Sequence, residues 1–204
     1  MTLLLIRHGE TALNVSRVLQ PAATPLSERG LAQAQALAQR LKSASIGAIL
    51  SSDLPRALQT AQAIAAACSV PIATSPLLQE RNFGDLRGQP YDQLGYDPLT
   101  AAAAPPNGES AAAFAARCAA AWAEVLRRQR ALGGTLAVVT HGLVLRAWLQ
   151  PDRVDLGAAA PPQAWANTSL SIVAPESPHR VSRLNCTLHL EGIAGHDGRS
   201  LSGG

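Results

Sequence analysis

The 204-residue sequence has few aromatics (3%), three cysteines, and a single lysine among its seventeen basic residues. Each scarcity removes a class of protein. Cys68, Cys118 and Cys186 are odd in number, far apart and set among small or apolar neighbours, which argues against a disulfide framework or a cysteine metal cluster and for reduced, buried thiols. No basic stripe is interleaved with aromatics, so a surface that stacks and neutralises nucleic acid is missing. The formal charge of +3 is small and dispersed, as on an ordinary soluble surface. No apolar run is long enough to span a bilayer, and the N-terminus meets Arg7 too early for a signal-peptide apolar region. A cytoplasmic protein without a membrane or nucleic-acid partner is expected, as monomer or homodimer.

With 47% apolar residues the chain can bury one core, and a single domain over residues 1–194 is expected, followed by "GHDGRSLSGG" (195–204) as a disordered tail. Leu3 to Ile6 is apolar throughout, as in a strand covered on both faces. Ser27 caps a helix through about Leu41, with Leu31, Ala34, Leu37, Ala38 and Leu41 as its stripe. Ile46 to Leu50 reads as a second strand. After it come cap candidates at Ser52 and Asp53, a Pro55 suited to a first helical turn, and an Ala-rich helix. Pro71 to Thr74 reads as a third strand.

From Ser75 to Gly108 the Pro, Gly and Asp density rises, and only Tyr91 to Leu94 suggests a short helix. Long irregular segments of this kind form lids and substrate walls. Ser110 to Ala131 reads as a helix with Phe114, Cys118, Trp122 and Val125 on one face, and Thr135 to Thr140 as a strand ending at His141 and Gly142. "SLSIV" and "RVSRL" alternate as edge strands do and suggest a hairpin around "APESPH". The class is α/β: a three-layer arrangement with a mostly parallel sheet between helices.

In such sheets ligands bind at the carboxyl ends of strands, and three strand ends here carry unusual groups: Arg7 and His8, Arg56, and His141. Together they would form a crevice of high positive potential suited to phosphate. Taken singly, each histidine reads more readily as a hydrogen-bonded structural residue. A metal site would need a third ligand that is not evident, and two flanking arginines would repel a cation, so no metal is expected. His179, His189 and His196 fall in the late polar region and read as surface or structural. Glu80, taken alone, reads as a surface carboxylate beside Arg81.

Six segments in order, "LIRHGET…N", "PLSERGLAQAQALAQRL", "SSDLPRALQTA", "ERNFGDLRG", "NGES" and "VVTHGLVLRA", resemble the histidine phosphatase superfamily, in its phosphoglycerate mutase-like branch. "NTSLSIV" and "RLNCTLHL" resemble that family's closing strands. The resemblance implies that His8 is a nucleophile forming a phosphohistidine, that Arg7, Arg56 and His141 hold the phosphoryl oxygens, and that Glu80 is the acid and base. Fixed donors around the transferred group suit phosphoryl transfer, which depends mainly on positioning and charge stabilisation, so no cofactor is implied. Asn14 matches a polar phosphate contact, and Gln20 matches a residue that reaches the substrate. Gly9 and Gly142 let backbone approach the phosphate. Glu10 either orients the site or caps a helix start.

Two departures bear on specificity. Pro21 stands where many relatives have glycine, so any substrate contact through that amide is lost. Between Arg87 and Arg117 there is no Lys or Arg, whereas the family's mutases carry a longer insertion with extra basic residues. Water is therefore expected as acceptor, and the chain resembles small phosphatases such as the α-ribazole phosphatases more than true mutases. The expectation is a metal-independent phosphomonoesterase acting on a small phosphorylated metabolite. The alternatives are a cofactor-dependent phosphoglycerate mutase and a catalytically silent phospho-ligand binding or interaction domain.

Overall fold

The apolar run at the start of the chain forms β1 (Thr2–Arg7), parallel to β4 (Thr135–Thr140) on one edge and antiparallel to β5 (Leu170–Val173) on the other. A strand with neighbours on both edges and helices on both faces has no wet side, hence the absence of alternation. The computed structural model describes residues 1–193; the expected tail, 195–204, and His196 lie outside the described residues. β2 (Ile46–Ser51), β3 (Ile72–Thr74) and β6 (Val181–Cys186) complete a six-stranded sheet of order β3-β2-β4-β1-β5-β6. Its first four members are parallel, and β5 and β6 are antiparallel to their neighbours. This is the expected α/β class with a mostly parallel sheet.

The helices are α1 (Ala12–Val15), α2 (Glu28–Leu41), α3 (Pro55–Cys68), α4 (Ala111–Leu132) and α5 (Gly142–Trp148). Alternate strand residues divide between two cores. Leu4, Ile6, Ile49 and Val139 pack against Leu37, Leu41, Ala61 and Ile64 of α2 and α3. On the other face Leu3, Leu5, Leu50 and Val138 meet Phe114, Val125, Val144 and Trp148 of α4 and α5. Each buried large side chain contributes about 1.5–3 kcal/mol, against roughly 0.5–1.5 kcal/mol net for one hydrogen bond. The apolar layers therefore hold the scaffold, and the polar site is built onto it.

Several local readings change. Leu31 is off the buried stripe, at 46% exposure; Gly30 and Gln33 take its place on the face turned inward. Neither Ser52 nor Asp53 caps α3: Leu54 is its N-cap, without a side-chain bond, and Pro55 opens the helix as expected. Ser52 Oγ instead meets His141 Nε2 at 2.9 Å, and Asp53 Oδ1 accepts from Gln79 Nε2 at 2.8 Å. Only Cys118 of the three free cysteines is fully buried. On α4, Ala121 joins the buried face, and Trp122 packs against the same core while staying half-buried. Of the two expected edge strands, β6 is an edge but β5 lies inside the sheet, so the alternation in "SLSIV" does not mark an exposed face.

The register aligns Arg7 with Thr140 and Ser51 with Val139, so the carboxyl ends of β1, β4 and β2 open together. The residues following these ends meet: the His8 and His141 rings stand 5.0 Å apart, and Ser52 Oγ lies 2.9 Å from His141 Nε2. Among the described residues no helix is long and apolar enough to cross a membrane.

Candidate active site

His8 leaves β1 with its backbone fixed on both sides: its N–H donates to Thr140 O at 3.0 Å, and its carbonyl accepts the Thr168 N–H at 3.1 Å and Asn167 Nδ2 at 3.2 Å. Its ring Nδ1 lies 2.6 Å from Gly9 O. A carbonyl can only accept, so Nδ1 carries the proton, and the free lone pair lies on Nε2. Nε2 is buried and has no hydrogen-bond partner among the described residues. Burial first, then Arg7 and Arg56, hold the His8 pKa well below 6.5. The ring is thus neutral, with the Nε2 lone pair unspent.

His141 follows β4 and is equally buried, its ring centroid 5.0 Å from that of His8. Burial, Arg56, His8 and Arg7 depress its pKa too. Arg7 reaches across the end of the sheet, Nη1 donating to Trp165 O at 2.5 Å. Arg56, in the first turn of α3, points Nη1 at Pro21 O from 3.5 Å. Burial lowers both guanidinium pKa values to about 10, with Glu80 opposing the shift, so both remain charged near neutrality.

Glu80 is no surface residue: it is 4% exposed, and its carboxylate is held by two backbone N–H groups, Oε1 by Arg81 at 3.0 Å and Oε2 by Leu143 at 3.1 Å. Burial raises its pKa, against those two bonds and the charges of Arg56 and Arg7. Thr140 Oγ1 donates to Leu78 O at 2.8 Å and so ties the segment carrying Glu80 to the end of β4. His8, Arg7, Arg56, Glu80 and His141 are therefore brought together, as the motif order implied. With the histidines neutral, two buried guanidiniums face one carboxyl group, and the surplus positive charge favours an anion.

The flanking residues are more specialised than the sequence indicated. Asn14 is buried and forms a capping box with Thr11, and its Oδ1 also accepts Asn167 Nδ2 at 3.3 Å. Gln20 is buried with Oε1 accepting from Thr11 Oγ1 at 2.8 Å. Gly142 opens α5 next to Leu143, whose N–H meets Glu80. The close approach at Gly9 is to α2: a Cβ there would lie 2.7 Å from Gly30 O, and one on Gly30 would lie 2.0 Å from Glu10 O. Glu10 is the N-cap of neither α1 nor α2, whose caps are Thr11 and Ser27; its carboxylate accepts from Ser27 Oγ at 3.0 Å and from Arg29 Nη1 at 2.5 Å.

Ser52, Thr60 and Asn167 carry supporting contacts that the sequence did not reveal as such. Thr60 Oγ1 accepts the Gly9 N–H at 3.0 Å and donates to Arg56 O at 2.8 Å, linking the loop after His8 to α3. Ser52 resembled a helix cap and Thr60 one more residue of an Ala-rich helix. The one available signal was the polar "NTS" directly before an apolar strand. Arg87, in the expected lid, lies near enough to Arg56 to lower its pKa further. His189 bridges Thr168 Oγ1 at 3.0 Å and Arg40 at 3.2 Å, and His179 stands edge-on to Trp122, both structural contacts.

Comparison with known proteins gives a consistent pattern. The family profile for the histidine phosphatase superfamily (branch 1) matches residues 3–187. "Probable phosphoglycerate mutase GpmB" of Yersinia pestis (strain Pestoides F) is 38% identical over 151 residues, 69% of each chain. Bacillus stearothermophilus YhfR superposes with a TM-score of 0.79 at 31% identity, over 93% of this chain and 98% of that one. A mycobacterial glucosyl-3-phosphoglycerate phosphatase in complex with inorganic phosphate superposes with a TM-score of 0.73 at 28% identity, over 92% and 98%.

Proposed function

This chain belongs to the histidine phosphatase superfamily, branch 1, and from that membership we propose that it is a metal-independent phosphomonoesterase working through a phosphohistidine on His8. The observation that carries the reading is a neutral, buried His8, its Nε2 unspent, and a buried Glu80 carboxyl, both under the influence of the Arg7 and Arg56 guanidiniums. In the first step Nε2 attacks phosphorus, the ester P–O bond breaks, and protonated Glu80 gives its proton to the departing oxygen. In the second, the Glu80 carboxylate takes a proton from water, whose oxygen attacks the phosphohistidine and frees phosphate and His8. Arg7, Arg56 and His141 stabilise the charge on the equatorial oxygens.

Hydrolysis is favoured over a mutase reaction by the lid. A mutase must hold its intermediate while the substrate turns over, and the stretch between Arg87 and Arg117 offers no Lys or Arg to do so. The name of the Yersinia relative keeps phosphoglycerate mutase as the second reading. Small phosphorylated metabolites are the substrate class, gripped at the phosphoryl group with Asn14 as a further phosphate contact, and Gln20, Pro21 and Arg87 are assigned to the side of the leaving group.

The test is phosphate release from sugar phosphates, nucleotides, phosphoglycerates and α-ribazole phosphate, with chelator present. Release from at least one ester is expected, without interconversion of phosphoglycerates when bisphosphoglycerate is supplied. Interconversion would favour the mutase, and phosphate binding without turnover would favour a silent binding domain. Loss of activity with chelator, restored by a divalent metal, would contradict metal independence.

A further inference from the structure

From α4, Arg117 reaches the segment that carries Glu80. All five N–H donors of its guanidinium are engaged. Nε and Nη2 bind Glu109 Oε1 and Oε2 at 2.9 and 2.8 Å; Nη1 binds Leu77 O at 2.9 Å and Gln79 O at 2.7 Å; Nη2 also binds Glu80 O at 3.2 Å. The guanidinium further stands over the Phe114 ring, 5.1 Å from its centroid.

Glu109 completes the grip from the far side of Glu80. Its Oε2 accepts the Asn82 N–H at 3.3 Å, its own N–H donates to Asn82 O at 2.8 Å, and its carbonyl accepts Arg81 Nε at 3.1 Å. The backbone from Leu77 to Asn82 is therefore clasped on both flanks of Glu80 by one charge-assisted pair. The Glu80 carboxyl hangs from that backbone, and one of its two hydrogen bonds comes from the same segment, at Arg81.

We propose that Arg117, locked to Glu109, is a positioning residue that sets where the Glu80 carboxyl stands relative to His8, and thereby the proton-transfer part of the reaction, without itself touching the substrate. The inference rests on the acid–base role given to Glu80 above. It assigns the pair a task beyond holding the lid, because the carbonyls that Arg117 gathers belong to the segment bearing the acid. A lysine could bind one or two of these acceptors but could not span five with a planar fork.

The experiment places Arg117→Lys and Glu109→Gln in the wild-type and Glu80→Gln backgrounds. It reads kcat/KM, which reports the steps through departure of the leaving group, on an alkyl phosphate and on p-nitrophenyl phosphate, together with Kd for inorganic phosphate and thermal midpoint. A misplaced acid hurts most where the leaving oxygen needs a proton. Arg117→Lys should lower kcat/KM roughly tenfold on the alkyl ester and about threefold or less on the nitrophenyl ester, with phosphate affinity largely kept. In the Glu80→Gln background it should have almost no further effect. Equal losses on both esters, or losses that multiply with Glu80→Gln, would show a purely structural role and overturn the proposal. Glu109→Gln keeps the shape of the pair and gives the same reading if Arg117→Lys does not fold. An unmodified protein inactive on both esters would overturn the hydrolase reading together with this one; an active protein with an unchanged ester ratio would overturn this one alone.

Discussion

His8 and His141 stand with ring centroids 5.0 Å apart and planes tilted by 57°, both fully buried between Arg7 and Arg56. Two imidazoles so placed cannot both accept protons unless an anion lies between them. Their depressed pKa values keep them neutral below the range where free histidine protonates, and this has a consequence for stability.

Below the unfolded value of 6.5, His8 and His141 take up protons in the unfolded chain that the folded chain refuses, and so does His189, held at about 4 by burial and Arg40. The unfolded state then binds more protons, so stability falls as pH drops below that value. Glu80, raised above 4.5, acts oppositely: the folded chain keeps a proton that the unfolded chain releases, and stability falls as pH rises through that window. Three groups oppose one. Urea unfolding midpoints should therefore fall on acidification from about pH 7.5 to about pH 5, and less steeply with inorganic phosphate present. A midpoint that rises over this range would contradict the assigned directions.

Ser52→Ala should slow turnover without unfolding the chain. The hydroxyl meets His141 Nε2 at 2.9 Å, and its removal frees that ring to turn away from the position in which the proposed mechanism uses it. A loss of one such bond corresponds to roughly tenfold in kcat. Steady-state kinetics with a circular dichroism control checks it, and an unchanged kcat would release Ser52 from the site.

The strand ends were legible in the sequence because buried parallel strands interrupt their apolar runs only where the chain leaves the sheet, and Arg7, His8 and His141 stand there. Glu80 was legible only through its motif, since nothing local distinguishes a buried carboxyl from one paired with Arg81 in solvent. Ser52, Asn167 and the Arg117–Glu109 pair were hidden because their contacts span 89, 159 and eight residues, respectively, and depend on how strands and lid come together. The role of Gly30 was hidden for the same reason: a mid-chain helix glycine reads as a weak position until Glu10 is seen lying against it.

Gly30→Ala tests that contact. A Cβ placed 2.0 Å from Glu10 O must push backbone rather than a flexible side chain. Overpacking of this kind costs about 1–3 kcal/mol or more, and the displaced segment begins two residues after His8. Both the unfolding free energy and kcat should fall. Stability unchanged within error would mean that α2 can shift freely.

Arg56→Lys keeps the charge and loses the planar fork. If Arg56 grips equatorial oxygens, kcat/KM should drop by about 100-fold or more, while the fold survives. A drop of less than about threefold would mean that Arg56 supplies only background positive potential.

The most direct measurement is rapid acid-free quenching of the Glu80→Gln variant mixed with an activated phosphomonoester, followed by peptide mapping with tandem mass spectrometry. Glutamine keeps one of the two backbone N–H contacts through its amide oxygen but cannot activate water, so the intermediate should accumulate with the phosphoryl group on His8, and the same label should be absent from His8→Ala. A phosphoryl group on another residue, or sustained turnover by His8→Ala, would contradict the account.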